Sequence, residues 1–231
     1  MLRRLWHLIP LSIRERLRTT GPFVAIRRTV AYFRWLGASH DKIYDQSYFD
    51  FVERTTRHSA DAIAASIVAD LKPKSVIDVG CGTGALLDAL SQRGVAVRGF
   101  ERAAAGLQYC QDRGLNVRDF NILKDSAQGE DQADISICME VGHQLPAENA
   151  DRLVELLCFL APIAVFSSEI PGGGDRRVLN EQPHDYWIQK FLGKSYELDG
   201  GLTEKWRSAW RDRGTAEWFA RNVLIFRRSV E

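Results

Sequence analysis

The chain has 231 residues, 45% of them hydrophobic and 26% charged, with a formal net charge of +1. That composition excludes a disordered or collagen-like chain and leaves room for one large α/β domain, with a second full domain crowded out. The near-neutral total hides an asymmetry: residues 1–42 hold nine Lys/Arg against two Asp/Glu, and the remainder is acidic.

The N-terminus has only a few apolar residues before Pro10 and no small-residue cleavage site behind a long apolar core, so a secretory signal is not expected. No run is long enough for a transmembrane helix. Residues 11–18 and 22–36 read as short amphipathic helices; in the second, Phe23, Ile26, Val30 and Phe33 group on one side and Arg27, Arg28 and Arg34 on the other. Such a segment suits packing on the domain, a lid over a site, or peripheral contact of residues 1–36 with an anionic membrane face. The expected organisation is a basic N-terminal segment over 1–46 and an α/β domain over 47–231. The four cysteines show no C-x-x-C spacing, which points to reduced thiols in a cytoplasmic protein with no metal site.

Residues 47–70 carry a helical pattern, with His58 in its polar middle, and Pro73 cannot continue it. An apolar strand over 76–79 follows, then a glycine turn, a helix over 83–92 and a strand over 95–100 ending at Glu101. A helix over 102–112 runs to Gly114 and a strand over 115–118 ends at Asp119-Phe120. A strand over 133–139, a helix over 147–158 and a strand over 161–167 complete an alternation that implies parallel strands with right-handed crossovers. Beyond the glycine-rich loop 171–175 come a helix over 183–192, a strand over 195–198, a helical stretch near 202–212 and a strand over 220–227.

The stretch around which the rest is organised is Val76-Ile-Asp-Val-Gly-Cys-Gly-Thr-Gly84. Glycine is needed where backbone turns sharply or approaches a ligand closely. The turn and the helix start after it favour a polar group lying over Gly80, Cys81, Gly82 and Gly84. The G-x-G-x-G spacing is neither a G-x-G-x-x-G fingerprint nor a P-loop. Ligands in open α/β sheets sit at the carboxyl ends of the strands. Glu101, ending the second strand, is placed to accept from both hydroxyls of a ribose. Asp119 and Phe120 end the third strand, and Met139 and Glu140 the fourth.

Asp78, Gly80, Gly82 and Gly84 together resemble the first motif of the class I S-adenosylmethionine (SAM)-dependent methyltransferases, D/E-x-G-x-G-x-G. The segment after strand four is similar to that family's E-V-x-E-H-L-P, with His143-Gln144 where Glu-His is usual. Asn180-Glu-Gln-Pro-His-Asp-Tyr-Trp187 resembles the N-E-Q-x-x-x-Y-W segment of a bacterial subgroup associated with glycan and natural-product genes, and Arg221-Asn-Val-Leu224 resembles its end. The resemblance covers residues 48–228. It implies a Rossmann-like three-layer sandwich whose seven-stranded sheet has the order 3-2-1-4-5-7-6, with strand 7 antiparallel. It also implies SAM as cofactor, with Asp119 on the adenine amino group and Phe120 either stacking on adenine or packing.

The sulfonium methyl is already activated, so the protein's task is to hold a nucleophile in line with it. The expected acceptor is a small molecule or glycan, the expected target a hydroxyl, and nucleic acid is disfavoured because strand four lacks an Asn/Asp-Pro-Pro-Tyr/Phe motif. His143 and His184 are the candidate bases for the acceptor proton; His143 either takes that role or orients its loop. Glu140, Asn180, Gln182 and Tyr186 are the expected acceptor-facing residues, while Trp187 reads as core. An RNA or protein methyltransferase and a non-catalytic SAM-binding scaffold are the alternatives, and the oligomeric state is open.

Overall fold

The computed structural model describes residues 40–172 and 178–229. The expected amphipathic helices over 11–18 and 22–36 and most of the loop over 171–175 lie outside the described residues. A short helix, α1 (His40–Ile43), leads into α2 (Gln46–Leu71). Asp45 caps α2, its side chain accepting from Tyr48 N–H at 3.0 Å. Lys72, in the left-handed region, and Pro73 end it. The Asp134 carboxylate then accepts from the N–H groups of Lys74 and Ser75 at 2.6 and 2.9 Å, clipping the start of the first strand.

The strands are β1 (Ser75–Val79), β2 (Ala96–Glu101), β3 (Val117–Asp119), β4 (Ile135–Met139), β5 (Ile163–Ser167), β6 (Tyr196–Leu198) and β7 (Leu224–Arg228). They form one sheet of order β3-β2-β1-β4-β5-β7-β6. The first five are parallel, and β7 runs antiparallel to both β5 and β6. This is the expected topology. The remaining helices are α3 (Ala85–Ser91), α4 (Ala104–Asp112), α5 (Ala150–Leu160), α6 (His184–Leu192), α7 (Gly200–Asp212) and α8 (Glu217–Asn222).

The pleat divides the core in two. Val76, Ile135, Ile137, Val165 and Ile225 point to one face, where Ile63 and Ile67 of α2, Leu90 of α3, Trp206 and Trp210 of α7 and Phe219 of α8 cover them. Ile77, Cys138, Ala164, Phe166 and Phe226 point to the other, under Leu153 and Leu157 of α5 and Trp187 and Phe191 of α6. Trp187 is 1% exposed and belongs to this core, as its pattern predicts. The buried indoles of Trp206 and Trp210 donate to Asp70 Oδ2 at 2.7 Å and Ser66 Oγ at 3.0 Å, tying α7 to α2. Among the described residues, no helix is long and apolar enough to cross a membrane.

Strand seven begins four residues later than the expected 220–227. Residues 217–222 are helical and Val223 makes the extended link, because an apolar run does not separate a short buried helix from a strand by periodicity. The third strand also starts later, at Val117, since Leu115 N–H turns back to Cys110 O at 3.0 Å.

Candidate active site

A cavity of about 1140 Å³ opens at the carboxyl ends of β1, β2, β4 and β5. Its floor is the glycine turn, where Gly80, Cys81, Gly82 and Thr83 line it; Gly84, expected there too, instead packs against Leu115 and Cys110. Gly80, Gly82 and Gly84 have φ of 77°, 59° and 72°, a region L side chains rarely adopt. The N–H groups of Gly80 and Cys81 donate to Phe100 O at 2.7 and 3.1 Å, and Gly82 N–H donates to Glu101 Oε2 at 2.9 Å. The turn is therefore stitched to the end of β2.

Glu101 is the centre of that stitching. Its Oε1 accepts from the N–H groups of Arg102 and Ala103, both at 2.8 Å. Burial raises its pKa, and the three backbone donors oppose the shift. A carboxylate offers about four acceptor sites, so capacity remains for a ligand hydroxyl. Asp78 lies beside it on the cavity wall, 4% exposed, with Oδ1 buried and lacking any hydrogen-bond partner. Burial, and next the nearby Glu101 charge, push its carboxyl up to about 8. An unpaired buried carboxyl facing a cavity asks for a donor or cation from a ligand.

Cys81, Met139 and Glu140 also line the cavity. Phe120 does too, stacked on Phe100 with centroids 4.1 Å apart. Asp119 stands exposed at the end of β3 and is not among the lining residues, whereas Asn121 and Ile122, next along the chain, are. His143 is 2% exposed and lines the cavity, its Nδ1 accepting from Glu169 N–H at 3.0 Å. The other candidate base is elsewhere. His184, at the start of α6, has Nδ1 3.3 Å from Arg207 Nη2 and lies outside the cavity, its pKa lowered by burial and then by Arg207.

Asn180, Gln182 and Tyr186 do not line the cavity either. Asn180 is buried and its Oδ1 accepts from Gln182 Nε2 at 2.9 Å; Tyr186 lies under the Lys190 ammonium on the outer side of α6. Their closeness in sequence to the glycine loop suggested an acceptor role. What reaches the cavity from this stretch is Leu179, because its N–H and that of Asn180 both bond to His143 O, at 2.8 and 3.0 Å.

Sequence reasoning missed three groups of lining residues. Tyr44, Tyr48 and Phe49 of the α1–α2 segment form one; Phe49 is buried against Ala103 and approaches the glycine turn. Asp41 Oδ1 accepts from Ala104 N–H at 3.2 Å, Tyr109 Oη donates to Asp50 at 2.7 Å and Arg113 bridges Glu53 and Thr83 O, so this segment is fastened to α4 and the turn. Glu169, after β5, is the second, and Trp218 and Phe219 of α8 are the third. The sequence signal for the first was the aromatic cluster Tyr44-Tyr48-Phe49 on either side of the Asp45 cap of α2.

Solved structures with this architecture include the magnesium protoporphyrin IX methyltransferase ChlM from Synechocystis PCC 6803, determined with bound SAM. It is 17% identical, at a TM-score of 0.57 over 88% of this chain and 97% of that one. The sugar N-methyltransferase KedS8 from Streptoalloteichus sp ATCC 53650 gives a TM-score of 0.62 at 15% identity, over 84% of this chain and 96% of its own. The fold is that of the class I methyltransferases. The sequence comparisons cover less. The family described as methionine biosynthesis protein MetW matches residues 61–157. A ubiquinone biosynthesis O-methyltransferase from Pseudomonas fluorescens (strain Pf0-1) is 35% identical over 83 residues, which is 33% of this chain and 36% of that protein. One from Neisseria meningitidis serogroup C is 30% identical over 120 residues, 47% of this chain and 50% of its own length. The chain thus spans between about a third and half of the curated relatives it matches.

Proposed function

We propose that this protein binds SAM and transfers its methyl group to a hydroxyl of a small-molecule or glycan acceptor. The observation that carries the reading is the buried Asp78 carboxyl, its Oδ1 without a hydrogen-bond partner, beside Glu101 on the wall of a cavity floored by a positive-φ glycine turn. These residues fit SAM. Glu101 has acceptor capacity for ribose hydroxyls, and Asp78 faces a position suited to an ammonium. When bound, SAM supplies a methyl on sulfonium that needs no further activation. The chain's own work is to bind, orient and exclude water. Phe49 and the α1–α2 segment wall one side, and Val52, Leu86, Trp218 and Phe219 give an apolar surface where an acceptor body would lie. A cavity of about 1140 Å³ exceeds the usual range for one drug-sized ligand and suits two. The names of the partial relatives support an oxygen target.

Calorimetry with S-adenosylhomocysteine (SAH) tests the cofactor half. Binding by the intact protein is expected, with affinity falling about tenfold or more in Asp78→Asn and Glu101→Gln while far-UV circular dichroism is unchanged. An intact, folded protein that does not bind SAH overturns the reading. A screen with labelled SAM over phenols, sugars and nucleotide sugars tests the acceptor half.

A further inference from the structure

The polar end of the cavity, where β4 and β5 stop, assigns roles that the histidines alone do not. We propose that Glu140 is the group that receives the acceptor's proton, that Asn222 positions it, and that His143 acts as a fixed hydrogen-bond donor. This rests on the methyl-transfer reading above.

Glu140 has φ of 60°, one of three non-glycine residues with positive φ among those described. Such a conformation costs on the order of 1–2 kcal/mol, and strain of this kind concentrates at functional sites. It is held by the Glu140 N–H, which donates to Ser167 O at 2.9 Å and Ser167 Oγ at 3.1 Å. The residue then turns out of the strand direction and lines the cavity. Its Oε1 accepts from Asn222 Nδ2 at 3.2 Å, and its Oε2 stands 3.8 Å from His143 Nδ1, too far for a hydrogen bond.

The His143 ring is oriented against a role as base. Its Nδ1 accepts the Glu169 N–H, so the neutral ring carries its proton on Nε2. Taking up a second proton would place N–H against N–H in a site 2% exposed. The Nε2–H is a donor. Among the described residues, the titratable and charged groups around Glu140 are His143 on its own loop, Glu169 after β5 and Arg221 on α8. Arg221 Nη2 binds Glu169 Oε1 at 2.5 Å, which balances that carboxylate. Asn222 Nδ2 reaches Glu169 Oε1 at 3.3 Å as well as Glu140, so one amide spaces the two acids. Among the described residues, Glu140 is the acid of this pair with no Lys or Arg bound to it. Burial raises its pKa, which the hydrogen bonds from Ser167 and Asn222 partly offset, and a base moved toward neutrality is better matched to a hydroxyl.

In the step assigned to this residue, the acceptor O–H bond breaks, the proton passes to a Glu140 oxygen and the electron pair stays on the acceptor oxygen. Glu140 afterwards returns the proton to water.

The test reads the residues first and turnover second. With SAH bound, the carboxyl ¹³C signal absent from Glu140→Gln is expected to titrate above the ordinary glutamate range, and to move higher still in Asn222→Ala, which removes a donor to the charged form. Ring ¹⁵N spectra near neutral pH are expected to show His143 as the Nε2–H tautomer. With tritiated SAM and the phenol and sugar panel, Glu140→Gln is expected to lose about 10²–10⁴-fold in kcat while SAH affinity stays within about threefold. A His143 that carries its proton on Nδ1 or titrates as an imidazolium overturns the proposal, as does a Glu140→Gln enzyme that keeps its turnover. If the panel gives no turnover, the tautomer and the Glu140 midpoint decide. If the intact protein binds no SAH, the cofactor reading fails, and the two spectra, repeated without ligand, still report on the residues.

Discussion

Asp78 shows how much one side chain states about its surroundings. It sits on the face of β1 that points toward α2 and α3, yet it is a carboxyl where every flanking position is apolar. Its pKa of about 8 in the fold lies above the 3.8 of an unperturbed aspartate. The folded state therefore binds the extra proton between those values. The stability linked to this group is full below about pH 4 and is lost as pH rises toward and through about 8. Asp78→Asn keeps the shape and removes the titration, so urea unfolding is expected to show a variant more stable than the parent at about pH 8 by roughly 1–3 kcal/mol, with the difference shrinking toward about pH 5. A cation on the ligand reverses the preference, so SAH binding near neutral pH is expected to release up to about one proton, measured by calorimetry in buffers of different ionisation heat. This residue was legible in the sequence because the features that mark it are local: the glycines follow it, and Glu101 ends the adjacent strand. Asn222 was not, because the residue it spaces is 82 positions away and nothing in either segment announces the other.

The element that shapes the cavity is the turn between β1 and α3, and its third glycine is fixed by packing as well as by dihedral. A Cβ on Gly84 would stand 2.6 Å from Leu115 Cδ1 and 3.0 Å from Cys110 Sγ, at φ of 72°. Gly84→Ala is expected to cost about 1–3 kcal/mol in chemical denaturation and to weaken SAH binding together with it. The order of the elements was readable, since alternating strand and helix patterns with right-handed crossovers leave few topologies. Their ends were less so. Residues 217–222 look like the start of a strand until Val223 separates helix from strand. Likewise, the direction in which residues 180–187 leave the glycine loop is set by the bonds to His143 O, a contact the local pattern does not encode. That is why His184 and Tyr186 read as acceptor-facing and stand elsewhere.

At the scale of the molecule, two cores clamp one sheet and the cavity forms where the strands stop. The α1–α2 segment joins these features, because α2 both covers the sheet through Ile63 and Ile67 and supplies Phe49 to the cavity. Phe49, at 3% exposure, ties cofactor site and fold together. Phe49→Ala is expected to lose about 3–5 kcal/mol of stability in urea. In the parent, SAH at about a hundred times its Kd is expected to add about 2.7 kcal/mol and raise Tm by roughly 5–10 °C, a gain that Phe49→Ala diminishes. The charge asymmetry of the whole chain remains a property of its first 42 residues, most of them outside the described region.

The stitching of the glycine turn has one more consequence. Glu101 holds the N–H groups of Gly82, Arg102 and Ala103, and Phe100 O holds those of Gly80 and Cys81, all through groups of the chain itself. The turn is held by the fold's own hydrogen bonds. The conformational entropy of a turn with three left-handed glycines is lost when the chain folds, which leaves less of it to be lost on binding.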